Sequence, residues 1–388
     1  LVSRKDQQAL KERLGNKFYI YTLDEWVFQQ PYTEELLLKQ LNTTSLKGFG
    51  IQDLVAATVA AGAALHYVQQ TQQVSLSHIQ SIARIDEDQF VWLDRFTIRN
   101  LEIISSPHEK ATTLLDVMDH TVSPMGARLL RRWLLMPLKN IHAINERHEV
   151  VSCFFEQEEF SLRVEQLLKS IGDLERLSSR IAIKKLTPRE AVQLKRGIAM
   201  LAPLKSELAE SNNKALQKMG DLINPCAQLL KMLDESIADE APAVAAKGGF
   251  IKDGYSSELD ALRKISSEGK DYLLKIQREE SERTGITSLK VAYNNVFGYY
   301  IEVTNAHKSK VPEGWIRKQT LTNAERYITE ELKVYEETIL GAEGKILDIE
   351  LKLYDEILNS TMSYIQALQQ NAYQIAQADC LRSFAEGA

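Results

Sequence analysis

The chain has only three cysteines in 388 residues, Cys153, Cys226 and Cys380, and no two are close together. With no CxxC pair and no Cys/His spacing suited to zinc, a disulfide framework and a motif-built metal site are excluded, and three free thiols are expected. A glycine-rich phosphate loop is also missing. Gly269-Lys270 is followed by Asp271 and Gly344-Lys345 by Ile346, and neither has the upstream glycine or the following hydroxyl that such a loop requires. The seven histidines form no HExxH or His-x-x-x-His pair, and Asp86-Glu87-Asp88 reads as a solvated turn. No catalytic residue, metal ligand or cofactor site is therefore assigned. The most apolar run, Leu54 to Val68, is too short to cross a bilayer and carries Thr58 and His66, so it reads as a buried helix. No secretory signal is expected. A cytoplasmic protein with no membrane partner is expected. Net positive charge is lacking as well. Lys and Arg number 47 against 53 Asp and Glu, for a formal charge of −6. That excludes a uniformly basic nucleic-acid binder but not a local basic patch. The chain opens on Leu1 rather than Met and is expected to be a piece of a longer protein.

What is present is an ordinary folding composition, with 44% hydrophobic, 26% charged and 7% aromatic residues. The length suggests about two or three domains. Phe18 to Leu23 is aromatic and β-branched and predicts a strand, with helices following near Glu34–Leu41 and Gln52–Gln70. One strand cannot form a sheet, so this zone reads as part of an α/β domain. Apolar residues then recur at three and four, as in Leu114, Leu115 and Met118 and in Leu129, Leu130, Trp133 and Leu134, with prolines punctuating the helices. Thr187-Pro188-Arg189-Glu190 has the Ser/Thr-x-x-Glu spacing of a helix start. This zone predicts a helical bundle.

The period changes twice further on. Ser256 to Arg283 is helical, with Leu259, Leu262, Ile265, Tyr272, Leu273 and Ile276 on one side. Leu289 to Tyr293 and Tyr299 to Val303 then alternate with period two, predicting strands around a turn at Asn294-Asn295, and Arg317 to Leu321 reads as a third extended piece. Tyr293, Tyr299, Ile301 and Val303 are expected in the core. After Asn323 the helical period returns. Leu332, Tyr335, Ile339, Ala342, Ile346, Ile349 and Leu353 follow a three-four spacing, and no proline occurs after Pro312. A helix of about 50 residues would be about 75 Å long and needs a partner, for which Ser256–Arg283 is the antiparallel candidate.

Charge separates onto the β-rich insert. From Arg283 to Arg326 the net charge is +4, which leaves −10 on the rest. Two readings stand. The insert grips DNA phosphates, or it is a solvated small β-domain whose aromatics form its core. Composition alone slightly favours the second. A basic tip on a long lever, which buries little against the body, favours the first.

Four runs carry a family resemblance. Thr113–Pro137 (TLLDVMDHTVSPMGARLLRRWLLMP), Gly172–Leu177 (GDLERL), Leu289–Ile301 (LKVAYNNVFGYYI) and Arg317–Ile328 (RKQTLTNAERYI) resemble the bacterial MutS mismatch-repair family over nearly the whole chain. The resemblance implies a mainly α fold: a helical bundle core with two long antiparallel lever helices carrying a small β-rich clamp insert, plus a partial α/β connector domain at the N-terminus. Residues 1–74 would be the partial connector, 75–269 and 330–388 the core and levers, and 270–329 the clamp. By position in the family, Asn295, Lys318 and Asn323 would face the DNA backbone. Charge adds Lys290, Lys308, Lys310 and Arg317. Phe154-Phe155-Glu156 and Phe384-Ala385-Glu386 match the bare Phe-x-Glu pattern of the family's mismatch wedge but lie in helical zones and are given no role. Double-stranded DNA is the implied partner of this stretch. ATP and Mg, homodimerisation and partnership with MutL are implied for the parent protein only, and this stretch alone would be monomeric. A competing reading is a coiled-coil scaffold whose β-tip binds another protein, which salt dependence would separate. An ATP-dependent enzyme in its own right is disfavoured by the missing phosphate loop. So is a family branch without connector and clamp.

Overall fold

The computed structural model describes residues 1–15, 18–71, 76, 79, 81–84, 87–108, 111–294 and 298–388. Its contacts divide the chain into two units. One comprises residues 1–186, 193–231 and 358–388, and the other 187–192 and 232–357.

The N-terminal stretch forms β1 (Val2–Ser3), α1 (Gln7–Leu14), β2 (Thr22–Leu23), α2 (Gln30–Gln40) and α3 (Val55–Thr71). β1 and β2 pair in parallel, Val2 with Thr22 and Ser3 with Leu23. The strand expected over residues 18–23 is thus only two residues long, and it finds a partner within the chain. Phe18 and Tyr19, whose side chains suggested the strand, are exposed. The apolar run is a helix, as expected. Its Thr58, Gly62, Ala63, Leu65 and His66 are buried, and His66 Nδ1 shares a 2.6 Å hydrogen bond with the Tyr32 hydroxyl.

Ten helices follow among the described residues: α4 (Arg95–Asn100), α5 (Leu114–Met118), α6 (Pro124–Leu135), α7 (Ile141–Glu156), α8 (Glu158–Ile171), α9 (Leu174–Ala182), α10 (Pro188–Ala199), α11 (Leu201–Ala209), α12 (Lys214–Leu222) and α13 (Ala227–Ser236). Their starts are set by local side chains. Thr113 and Asp116 form a reciprocal capping box on α5. Ser123 accepts from Gly126 N ahead of Pro124 at the first position of α6, and Asp173 accepts from Arg176 N on α9. Thr187 and Glu190 make the expected box on α10, with bonds of 3.0 and 3.3 Å. Each such cap stabilises its helix by roughly 1 kcal/mol, because it satisfies N–H groups that have no partner within the helix.

The chain then runs through α14 (Ser257–Thr284) and four strands to α15 (Glu330–Thr361) and α16 (Ile365–Glu386). The expected 50-residue helix is interrupted by a short 3₁₀ turn at Met362–Tyr364, so α15 spans 32 residues, or about 48 Å at ~1.5 Å per residue. No proline causes the break. It lies in a hydroxyl-rich stretch where Thr361 Oγ1 donates to Leu358 O and Ser363 Oγ to Ser360 O, competing with the helical ladder.

α16 is the axis of the first unit and packs against α6, α7, α8, α9 and α12. Its buried residues go all the way round the helix, which fits its weak amphipathicity. Four of the polar groups among them satisfy backbone elsewhere. The Asn371 side chain exchanges two bonds with the Asn224 backbone. The Asp379 carboxylate accepts from Val122 N, Ser123 N and Ser123 Oγ at 3.0, 2.8 and 2.6 Å. Ser383 Oγ accepts from His120 N and donates to Met118 O, and Arg382 donates to His120 O. α16 thus holds the loop before α6 through side-chain hydrogen bonds. Burial pushes the Asp379 carboxyl up from its ordinary value despite these donors. Phe154 is buried and stacked on Phe160, and Phe384 lies against Trp133, so both Phe-x-Glu matches supply core packing.

In the second unit Arg263 of α14 binds the fully buried Glu350 of α15, which also accepts from Gly249 N at 2.7 Å. Leu273 and Ile276 of α14 share a buried cluster with Leu332 at the start of α15. The two helices therefore run antiparallel over this stretch.

Candidate nucleic-acid interface

Between α14 and α15 lies one antiparallel sheet of β3 (Lys290–Asn294), β4 (Gly298–Thr304), β5 (Ile316–Thr320) and β6 (Ala324–Ile328), in the order β3-β4-β6-β5. The first three match the expected extended pieces. The fourth corrects the expectation that helix resumes after Asn323. Ala-Glu-Arg-Tyr-Ile reads as helical because Glu and Arg are good helix formers, yet pairing with β4 and β5 overrides that preference.

One face of the sheet is its core. Ile301, Val303 and Tyr327 are buried with Leu289, Trp315 and Ile286 against Leu273, Ile276 and Leu332. Tyr299 packs at its margin. Tyr293, expected in the core, is 46% exposed near the end of edge strand β3, with its ring 4.9 Å from that of Tyr299. Tyr300, Trp315 and Tyr327 are all buried, so these aromatics build the domain and are not platforms for stacked bases.

The cations of the insert are distributed around two carboxylates. Glu325 lies on the core face opposite Val303 and is almost fully buried. It receives Lys308 Nζ at 2.6 Å and Arg317 Nη1 at 3.3 Å, with the Tyr327 hydroxyl on its other oxygen. The Lys308 ammonium first, then the Tyr327 hydroxyl, hold the Glu325 carboxyl below its ordinary value. Burial and the Glu325 bond push Tyr327 up to about 12. Two cations on one carboxylate leave a local charge of +1, and both cationic side chains remain more than half exposed. On the opposite face Arg326 donates to Glu302 and Gln319 and lies 4.3 Å over the Tyr300 ring. Arg283 pairs with Glu280. The expected basic tip is therefore partly neutralised from within.

Lys290 and Lys318 are exposed and have no hydrogen bond or ion pair among the described residues, while Lys310 Nζ reaches only Gly285 O at 3.4 Å. Lys318 has a distinct backbone setting. Arg317 pairs with Tyr327 and Gln319 with Arg326, so Lys318 is the extra residue of a β-bulge on edge strand β5. A bulge turns its residue out of the regular alternation and protects an open edge. Asn323 is exposed in the two-residue turn that follows, closed by Leu321 N to Ala324 O at 2.8 Å and tied to Asn305, whose N–H donates to Asn323 O. One hairpin thus presents both Lys318 and Asn323. Asn295 lies outside the described residues. By register, Lys290, Asn323 and the Asn305–Lys310 turn belong to the end of the sheet where β4 finishes, whereas Asn294 belongs to the end where β4 begins. Six residue steps, about 20 Å at ~3.3 Å each, separate those ends along β4. Composition gave the seven cations but not the role of Glu325. The signal available was its two-residue spacing from Tyr327.

No helix among the described residues is long and apolar enough to cross a membrane, and no cluster among them could hold a metal ion. A family model described as MutS domain III matches residues 96–385, and one described as MutS domain II matches residues 2–80. The protein named DNA mismatch repair protein MutS of Bacteroides thetaiotaomicron is 51% identical over 385 residues, covering 99% of this chain and 45% of that protein. Those of Phocaeicola vulgatus and Flavobacterium johnsoniae are 50% and 49% identical, with 99% and 100% of this chain and 44% of each relative covered. The chain spans about 45% of the length of such relatives. With a family model over most of its length and half its residues identical to these proteins, the chain belongs to the MutS family.

Proposed function

We propose that this stretch grips double-stranded DNA by its backbone, without reading sequence, and passes that contact to the rest of a mismatch-repair protein. The observation that carries the reading is the β5–β6 hairpin. It presents Lys318 on a bulge and Asn323 in a turn, beside Lys308 and Arg317 held by one buried carboxylate. Exposed ammonium and guanidinium groups suit phosphate oxygens, and an amide suits the same acceptors at short range. Asn295 joins this set by resemblance and Lys290 and Lys310 by charge. Residues 270–329 act as the clamp, 75–269 and 330–388 as core and levers, and 1–74 as part of a connector. The antiparallel course of α14 and α15 supports the lever assignment. In the parent protein, ATP with Mg biases the levers between states, a second copy completes a dimer, and MutL is a partner. The stretch itself has no enzymatic role, takes no cofactor and acts in the cytoplasm.

The test is binding of a labelled duplex, with and without one G·T mismatch, across a salt series. The Lys318→Ala/Asn323→Ala variant is run beside the wild type. Salt-steep binding, indifferent to the mismatch and weakened in the variant, is the expected result. Salt-insensitive binding, or a variant equal to wild type, would remove the hairpin from the interface and favour a protein-binding scaffold.

A further inference from the structure

A cavity of about 370 Å³ opens in the first unit, between α6, α7, α12 and α16. Its walls are apolar, from Leu138, Val150, Leu222 and Leu381. The polar side chains that line it have no hydrogen bond or ion pair among the described residues. The Arg147 guanidinium lies 3.5 Å from the centre of the Trp133 ring. That contact satisfies the face of the guanidinium but leaves its edge of N–H donors open. Burial draws the Arg147 pKa down, and among the described residues no carboxylate pairs with it. Gln374 also lines it, with an amide that has no hydrogen bond among the described residues. Gln377 and the half-exposed Tyr373 line the same space. Lys218 and Glu146 complete the lining, so with Arg147 it carries a net charge of +1.

We propose that this cavity binds a small planar aromatic carboxylate. The carboxylate accepts from the Arg147 edge and the Gln374 amide, and the ring lies among the apolar walls beside Trp133. A single negative charge balances the lining, whereas a dianion would meet Glu146. The volume falls in the range of small-molecule pockets, ~300–1,000 Å³. A guanidinium matches a planar carboxylate in a way an ammonium does not. The site is separate from the DNA-gripping hairpin and does not depend on it.

The experiment is calorimetric titration of the full chain with 2-naphthoate, beside 2-naphthamide as the neutral analogue. Naphthoate should bind with a Kd on the order of 1 mM, as its size allows. Naphthamide should bind at least ~10-fold more weakly, since it lacks the charge-assisted bonds. Arg147→Lys, which keeps the charge but loses the fork, and Gln374→Leu, which keeps the volume, should each weaken naphthoate while circular dichroism matches wild type. If Arg147→Lys fails to fold, Gln374→Leu and Lys218→Ala carry the test. No saturable naphthoate binding, equal binding of the amide, or folded variants that bind as wild type would each overturn the site.

Discussion

The Asp379 carboxylate occupies the space that a side chain at Gly126 would need: a Cβ there would sit 2.2 Å from Oδ2 and 2.7 Å from Cγ. Glycine at this position lets the first turn of α6 approach close enough for Asp379 to accept from Val122 and Ser123. Gly126→Ala should destabilise the protein by at least about 2 kcal/mol, since neither helix has room to give. The measurement is the urea midpoint by far-ultraviolet circular dichroism. In an Asp379→Ala background, where only the Cβ of residue 379 still crowds the position at 2.9 Å, the same substitution should cost less, and equal cost in both backgrounds would disprove the steric coupling.

Glu325 makes the β-insert sensitive to acid. Its carboxyl titrates below the ordinary glutamate value, so its stabilising effect is complete above about pH 4.3 and is lost as pH falls through the lowered value. The gap in urea midpoint between wild type and Glu325→Gln should be widest near pH 7 and shrink towards pH 3. A gap that stays constant would show that the ionised carboxylate contributes nothing. Tyr327 gives the opposite limb. Its effect is present below the ordinary tyrosine value, near pH 10, and is lost as pH rises through about 12.

The cations should separate into two kinds on DNA. Lys318, which has no partner among the described residues, should lower the log–log salt slope by about 1 when changed to Ala, with no change in thermal stability. Lys308→Ala should reduce the slope and also lower the melting temperature, because it leaves Glu325 short of a donor. Salt-series binding with a parallel thermal scan distinguishes them. Identical behaviour of the two variants would contradict the assignment.

Arg263 and Glu350 pin α14 to α15. Arg263→Met should cost about 3 kcal/mol, since it strands a buried carboxylate, and Arg263→Met/Glu350→Leu should recover at least half of that. Denaturation of all three proteins tests it, and a double variant less stable than Arg263→Met would show that the charge pair contributes more than desolvation relief.

How far these elements could be read from the residues differs by element. The Thr187-Pro188 start of α10 and the alternation of β4 were legible because they are local. β6 was hidden because Glu325 and Arg326 look like helix surface until their partners are known. The break at Met362 carries no proline or glycine, only hydroxyls whose effect depends on which carbonyl they reach. Among the predicted DNA contacts, residue type identified Lys308 and Arg317 as basic. Their shared carboxylate follows from strand register, which no composition count reveals.

α16 is made last of the helices it organises. When a ribosome has finished α6 to α12, the faces that will meet residues 365–386 are still bare, and the whole of α14, the sheet and α15 must be synthesised before their partner emerges. The Ser123–Asp379 bond closes over 256 residues. The sheet draws its cluster from Leu273 to Leu332 and can fold as soon as that stretch is out. During translation, therefore, the sheet is self-sufficient while the helices that pack on α16 wait. The half-built bundle is the species that a chaperone would meet.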